Sequence, residues 1–248
     1  MKKFIFALMV GSLLFVLCLC SCNSEPTLGL KYSLLPDGTY QVSIGAAINE
    51  EKIVIPSEYK GIAVTGIAIN GFRNNEIIEK VIIPKSVVTI GMSAFQNCKN
   101  LKKINLPNNL KEIEPHLFLG CSSLVSVDLP DGITKIGENA FGSCESLKSI
   151  DIPNSVETIG MSAFTCCKSL KRITIPNNVK TIESNMFAGC EQLERVNLPE
   201  GVVKIEQFAF NGCASLRKIK IPDGVEEISS DMFGFCSKLK EVHLPNNL

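Results

Sequence analysis

Residues 101–124 read LKKINLPNNLKEIEPHLFLGCSSL, and the same pattern of residue types returns along the chain with a period of 23. Proline keeps this spacing without a change, at Pro84, Pro107, Pro130, Pro153, Pro176, Pro199, Pro222 and Pro245. A fixed period of this length is typical of a solenoid, in which each turn of the chain stacks on the previous one. The sequence therefore predicts a solenoid built from 23-residue coils.

Three further residue types keep the period of the prolines. Phenylalanine recurs at Phe72, Phe95, Phe118, Phe141, Phe164, Phe187, Phe210 and Phe233. Cysteine recurs at Cys98, Cys121, Cys144, Cys167, Cys190, Cys213 and Cys236, and a leucine follows three residues later in each coil. A residue type that stays at one phase of a repeat meets its own copy in the next coil, so these positions predict continuous core columns. Eight of the 23 positions in a unit are predicted to point inward, too few for one unit to fold alone.

Each unit contains one predicted strand and one predicted turn. Ile104 and Leu106 alternate with Asn105, which is the pattern of a short, half-buried strand. Pro107 follows and lacks the backbone donor that would extend the strand ladder. Asn, Asp or Gly come next in several units, and this combination with proline favours a turn.

The start of the array departs from the strict period. Pro56 lies 28 residues before Pro84, so about five extra residues are predicted around Tyr59 to Gly61. Further upstream, two short strand-like segments flank the turn at residues 36–38 and predict a β-hairpin. We expect residues 31–63 to form an N-terminal cap and residues 64–248 to form the solenoid, because repeat arrays need a shielded first coil.

The N-terminal segment carries an export signal. Two lysines precede an apolar run over residues 4–19, which is the pattern of a signal peptide. The run ends in the motif L-C-S-C, which resembles a bacterial lipobox with Cys22 as the lipidated residue. The favoured interpretation is a lipoprotein signal peptide over residues 1–21 and a tether over residues 22–30; the alternative is an ordinary, cysteine-rich signal peptide. Acyl chains on Cys22 would anchor the protein to a membrane of the bacterial cell envelope.

Charge and composition exclude several classes of protein. Lys plus Arg and Asp plus Glu number 25 each, so the chain lacks the basic excess that is typical of a nucleic-acid partner. No window after residue 22 approaches the 18 or more apolar residues of a membrane helix. The sequence also lacks the common catalytic motifs, and neither an enzyme nor a cofactor is predicted.

The cysteine column allows two interpretations. An exported protein favours disulfides, but stacked coils would hold equivalent side chains about 4.8 Å apart, whereas disulfide Cβ atoms lie about 3.5–4.5 Å apart. The favoured interpretation is a buried ladder of free thiols that pack as small apolar groups. His116 and His243 are the only histidines in the sequence, so no metal site is predicted.

A neighbouring column holds mostly small residues and is predicted to lie at a turn. Its members include Asn97, Gly120, Ser143, Gly189 and Gly212. Cys166 occupies the same column and is expected to be more exposed than the ladder cysteines. Phe235 is its one large apolar member; packing against the end of the chain is favoured over a role as a binding anchor.

The unit has the consensus L-x-x-I-x-L-P-x-x-L-x-x-I-x-x-x-x-F-x-x-C-x-x-L, which resembles the BspA-like leucine-rich repeats of bacterial surface proteins. The resemblance extends from about Val64 to Leu248. It implies a leucine-rich repeat solenoid, placed by convention in the α/β class although it is β-rich, with a parallel sheet on one face. It also implies surface display and, for some members, adhesion to host matrix proteins or other cells, but no site residues.

The outward positions of eight predicted strands form a candidate ligand-binding row. These positions include Asn105, Asp128, Asp151, Thr174, Asn197, Lys220 and His243, and Lys171 and Arg172 lie beside the row. The residue types vary here while the core columns stay constant, which suits either a recognition surface or a solvated edge. The predicted function is an exported, lipid-anchored adhesion module for extracellular or host proteins or glycans; the alternative is a structural spacer or envelope-assembly protein without a ligand.

Overall fold

The computed structural model describes residues 25–245, and over these residues the chain forms 17 short β-strands and no helix. The strands are β1 (Lys31–Leu34), β2 (Tyr40–Ser43), β3 (Lys52–Val54), β4 (Glu58–Tyr59), β5 (Ile62–Ile67), β6 (Lys80–Ile82), β7 (Thr89–Ile90), β8 (Lys103–Ile104), β9 (Glu112–Ile113), β10 (Lys135–Ile136), β11 (Thr158–Ile159), β12 (Arg172–Thr174), β13 (Thr181–Ile182), β14 (Arg195–Asn197), β15 (Lys204–Ile205), β16 (Lys218–Lys220) and β17 (Glu241–His243). They build a solenoid of about nine stacked turns, which confirms the predicted fold.

Equivalent residues of successive coils lie opposite one another. Arg172 pairs with Arg195 and Lys135 pairs with Thr158, each one full period further along the chain. In the coil that starts at residue 101, the eight predicted inward side chains are all at most 8% exposed: Leu101, Ile104, Leu106, Leu110, Ile113, Leu117, Phe118 and Cys121. The phenylalanine column forms one continuous stack, with successive ring centroids 5.3 to 5.9 Å apart.

Most coils contribute strands to two parallel ladders rather than to one. The first, which we call the strand face, contains β3, β6, β8, β12, β14, β16 and β17. The second, the rear ladder, contains β5, β7, β9, β10, β11, β13 and β15. Sequence reasoning missed the rear ladder because most of its strands are two residues long, which is too short for an apolar–polar alternation to show.

The strand face is interrupted in its middle, because two of its eight predicted strands, those at Asp128 and Asp151, are absent. Residues 126–128 and 149–151 are not strands, although Val127 and Ile150 remain buried at 4% and 5% exposure. Their outward positions hold serine and aspartate, and aspartate is poorly suited to strands. Asp128 and Asp151 occupy equivalent positions of adjacent coils, where like charges disfavour close pairing.

The predicted N-terminal hairpin is present. β1 and β2 pair antiparallel, and Val42 of β2 pairs in parallel with Ile67, so the hairpin continues into the rear ladder. The extra residues of the first coil form the tight β4–β5 turn, where Lys60 and Gly61 both have positive φ. Tyr59 from this turn stacks on Tyr32, with ring centroids 3.9 Å apart, which fixes the hairpin to the array.

Asn75, which occupies the cysteine position of the first coil, has a structural role. Its Oδ1 accepts hydrogen bonds from the backbone N–H groups of Ile77 and Ile78 at 2.8 and 2.9 Å, and its Nδ2 donates to Ile48 O at 2.9 Å. The side chain is only 5% exposed. It therefore connects the first coil to the cap through bonds that a thiol could not make.

Two positions of each coil have left-handed backbone conformation. The first is occupied by Asn70, Ser93, His116, Asn139, Ser162, Asn185, Phe208 and Asp231, and the second by Asn74, Asn97, Gly120, Ser143, Cys166, Gly189, Gly212 and Phe235. Because a Cβ atom disfavours this conformation, it explains the column of small residues. Phe235 is the exception: it is 84% exposed, which does not support the expected packing against the end of the chain.

The repeated cysteines form the predicted ladder of free thiols. Each Sγ donates a hydrogen bond to a phenylalanine carbonyl of the preceding coil; for Cys144 the acceptor is Phe118 O at 3.2 Å. Burial raises the pKa of the Cys144 thiol well above its ordinary value. The column therefore adds a line of hydrogen bonds to the core without reactive thiolates.

Thiol labelling should separate the buried ladder from Cys166, which is half-buried in the left-handed column. At pH 8 we expect iodoacetamide to modify Cys166 many times faster than Cys144 in the folded protein, measured by mass-spectrometric peptide mapping. In urea the two rates should converge; equal rates before unfolding would contradict the buried ladder.

The stability of the ladder should depend on pH. Above about pH 8.5 the thiols ionise in the unfolded chain but stay protonated in the folded core, so the free energy of unfolding should decline as the pH rises.

Candidate functional site

The strand face carries an open groove of about 1180 Å³ in its C-terminal half. The groove extends across five coils, from Ser149 to His243, and starts where the strand ladder is interrupted. A smaller groove of about 230 Å³ lies next to it, around Asp128 and Asp131. Most of the larger groove is lined by residues of β12, β14, β16 and β17 and by the residues beside these strands.

The structure brings most of the predicted ligand-binding residues together. Seven of the nine line the larger groove: Asp151, Lys171, Arg172, Thr174, Asn197, Lys220 and His243. Asp128 lines the smaller groove, and Asn105 lines neither. The predicted residues from Asp151 onward thus line the larger groove, whereas Asn105 and Asp128, which come earlier in the solenoid, do not.

Asn105 stabilises the strand ladder. Its Nδ2 donates to Ile83 O at 2.9 Å, and its Oδ1 accepts from Ile83 N at 3.0 Å. The side chain thereby occupies both backbone groups that a further ladder residue would pair. The sequence placed Asn105 at an outward position, but that position alone does not show that the amide binds the backbone of the neighbouring coil.

Replacing Asn105 with alanine should lower the free energy of unfolding by about 1–3 kcal/mol, because two backbone groups of Ile83 lose their partner. Thermal and urea unfolding measure the change. Asn108→Ala is the matched control, because Asn108 is an exposed turn residue of the same coil, and we expect it to change stability by less than about 0.5 kcal/mol. Equal losses would contradict the structural role of Asn105.

Several groove residues already have partners within the protein. Lys220 Nζ lies 2.6 Å from Glu200 Oε1, and His243 pairs with Glu241. Asn197 Nδ2 donates to Thr174 Oγ1 at 3.1 Å. These contacts are exposed and weak, so they position the side chains without preventing an exchange for a ligand.

The groove also contains cations that the predicted site left out. Arg195, Arg217, Lys218 and Lys240 line it together with Lys171 and Arg172. The signal was present in the sequence: Arg195 and Lys218 repeat the phase of Arg172, and Arg217 and Lys240 repeat the phase of Lys171. Like Lys171 and Arg172, these four cations flank the predicted row in the sequence.

The described part of the chain offers no constellation for metal chemistry. Between residues 25 and 245, no group of three or more His, Cys, Asp or Glu side chains is arranged to hold a metal ion. Over the same range no helix is long and apolar enough to cross a membrane. The predicted signal peptide and Cys22 lie outside the described residues.

The sequence matches a family model described as the BspA type leucine-rich repeat region, in six copies, over residues 65–185 and 157–248. The chain belongs to this BspA-type leucine-rich repeat family. A crystal structure of the leucine-rich repeat protein of T. pallidum is similar to it, with 34% identity, a TM-score of 0.73 and coverage of 77% of this chain and 90% of that one. No curated protein matches the chain.

A leucine-rich repeat protein from Bacteroides ovatus is also similar, with 27% identity and a TM-score of 0.71. The alignment covers 88% of this chain and 70% of that protein. Leucine-rich repeat proteins are generally non-enzymatic scaffolds that mediate protein interactions, and this BspA-type chain is compatible with a protein-binding module.

Proposed function

We propose that this BspA-type protein is exported, anchored by a lipid on Cys22, and displayed at the bacterial cell surface, where it binds extracellular protein or glycan partners through the strand face. The observation that carries the proposal is the groove of about 1180 Å³, which collects seven of the nine predicted binding residues. The signal peptide and lipobox support the location.

The binding mechanism is multivalent polar contact without chemical turnover. The groove repeats similar polar and charged side chains from coil to coil, so an extended partner meets equivalent groups several times. Each exposed contact is weak, but linked contacts within one rigid surface add to a useful affinity.

Surface accessibility on intact cells tests the location. We expect protease or a membrane-impermeant label to reach the repeat domain on whole cells, and Cys22→Ala to release the protein from the membrane fraction. Protection of the domain until the envelope is broken would overturn surface display, and unchanged membrane retention of Cys22→Ala would overturn the lipid anchor.

Capture of extracellular matrix and host-surface proteins or glycans tests the strand face. Lys171→Glu combined with Lys220→Glu should reduce capture about tenfold or more, because two groove cations are reversed. Equal capture by the wild type and this variant would contradict binding through the groove.

A structural role in the envelope, as a spacer or an envelope-assembly protein without a ligand of its own, is the second candidate. A deletion strain that adheres normally but loses envelope integrity would favour this role over adhesion.

A further inference from the structure

The groove of the strand face is strongly basic although the chain is neutral as a whole. Seven Lys or Arg side chains line it against three carboxylates, while the sequence contains 25 cations and 25 anions. The excess therefore arises from placement: the fold collects cations on one surface of a protein whose total charge is balanced.

Cations outside the groove are commonly neutralised from coil to coil. Lys99, Lys102, Lys135 and Lys168 each pair with a glutamate located one period earlier, in the adjacent coil. Lys52, Lys80 and Lys103 lie opposite one another in the first part of the strand face, but the flanking column there is neutralised by Lys102 and Glu79. Cation over carboxylate is thus a common arrangement of the flanking columns in the described residues.

In the groove, both the strand column and the flanking column carry mainly cations. Arg172 lies directly opposite Arg195 in the ladder, and Lys218 occupies the equivalent position one coil later. In the flanking column, Lys171 is followed by Glu194, Arg217 and Lys240, so one carboxylate interrupts three cations. Like charges this close repel one another, and among the described residues these six cations have no ion-pair partner.

We propose that this groove binds a linear sulfated polysaccharide along the solenoid axis. This inference rests on the proposed extracellular function and names the class of partner for the same strand face. Each of four successive coils contributes at least one of these cations, at about 4.8 Å per coil and over a run of roughly 15 Å. A chain with regularly spaced sulfate groups would replace repulsion between cations with successive charge-assisted contacts.

The side-chain chemistry favours sulfate groups on a sugar chain. Arginine presents a planar fork that binds tetrahedral oxyanions bidentately, and three of the cations are Arg172, Arg195 and Arg217. Thr174 and Asn197 lie two residues after Arg172 and Arg195 on the same strands and offer hydroxyl and amide groups to sugar hydroxyls. The lining contains no Phe, Tyr or Trp, which disfavours stacked nucleotide bases and the aromatic anchors of protein partners.

Binding to heparin in about 0.15 M NaCl tests the proposal, with desulfated heparin, a single-stranded DNA oligonucleotide and polyglutamate as competing ligands. We expect heparin to bind most tightly, to lose affinity steadily as salt rises, and to raise the melting temperature of the protein. Removal of the sulfates should weaken binding at least about tenfold, since the arginine forks lose their oxyanions. Tighter binding of DNA or polyglutamate than of heparin would assign the groove to another class of partner and overturn the proposal.

A charge-matched pair of variants localises the binding. Arg172→Ala/Arg195→Ala/Lys218→Ala should weaken heparin binding by about tenfold or more while leaving the melting temperature equal or higher, because repulsion is relieved. Lys111→Ala/Lys180→Ala/Lys238→Ala removes the same charge outside the groove and should bind nearly as the wild type does. Equal losses in both variants, or no heparin binding by the wild type, would overturn the proposal. If the protein were still exposed on cells and still captured other partners after either of these results, the proposed adhesion function would stand without the polysaccharide proposal.

Discussion

Replacing Phe141 with alanine should lower the free energy of unfolding by about 3–5 kcal/mol, the cost of removing a large side chain from a closed core. Phe141 is fully buried and lies between Phe118 and Phe164, with both ring centroids 5.5 Å away. The cavity cannot close easily, because the backbone on either side is fixed by the neighbouring coils. Urea unfolding followed by circular dichroism measures the loss.

The matched control is Phe235→Ala, which deletes the same atoms from a side chain that is 84% exposed and has a left-handed backbone. We expect a change below about 0.5 kcal/mol, because little apolar surface is lost from the core. Equal losses of stability in the two variants would contradict the claim that Phe141 stabilises the protein through its buried position in the phenylalanine stack.

Removing one complete coil should harm the protein less than removing half a coil. Deletion of residues 147–169, which is one full period, joins Ser146 to Leu170, so Phe141 meets Phe187 and every later column stays in place. We expect cooperative unfolding with an m-value reduced in proportion to the shorter chain.

Deletion of only residues 147–158 removes the strand-face half of the same coil. The half that remains cannot complete a turn, so the two parts of the array lose their shared core and the cooperative transition should split or disappear. Circular dichroism during urea unfolding compares the two variants. Greater damage from the full-period deletion than from the half-period deletion would contradict stacking with this period.

The core was predictable from sequence because each buried position requires an apolar residue in every coil. Leu110, Ile113 and Phe118 must be apolar for their copies to pack, so the period appears directly in the letters. The N-terminal hairpin was predictable for a related reason: the turn at residues 36–38 and the alternation beside it are local signals.

Features that depend on backbone pairing were harder to predict. The rear ladder consists largely of strands such as Thr158–Ile159, whose two residues carry no alternation. The interruption at residues 126–128 and 149–151 follows from the contact between equivalent residues of adjacent coils, not from either segment alone. Left-handed positions such as His116 were hidden because asparagine, serine and larger residues share that column.

The candidate site was predictable in position but not in composition. The outward row found Thr174, Asn197 and Lys220, because direction follows from strand alternation. It also included Asn105, whose amide serves the ladder, since the sequence does not say which polar side chain faces neighbouring backbone. The basic character of the groove emerges only when Arg195 and Lys218 are placed opposite their copies.

Distances between exposed turns test the stacking of coils most directly. Asn108, Asn177 and Asp223 each follow a repeat proline and are exposed, so they can carry spin labels through non-cysteine chemistry. Asn108 and Asn177 lie three coils apart and Asn108 and Asp223 lie five coils apart, which predicts separations of roughly 15 and 25 Å. Distances that rise with the number of intervening coils would agree with the solenoid; equal distances for the two pairs, or a shorter one across five coils, would contradict it.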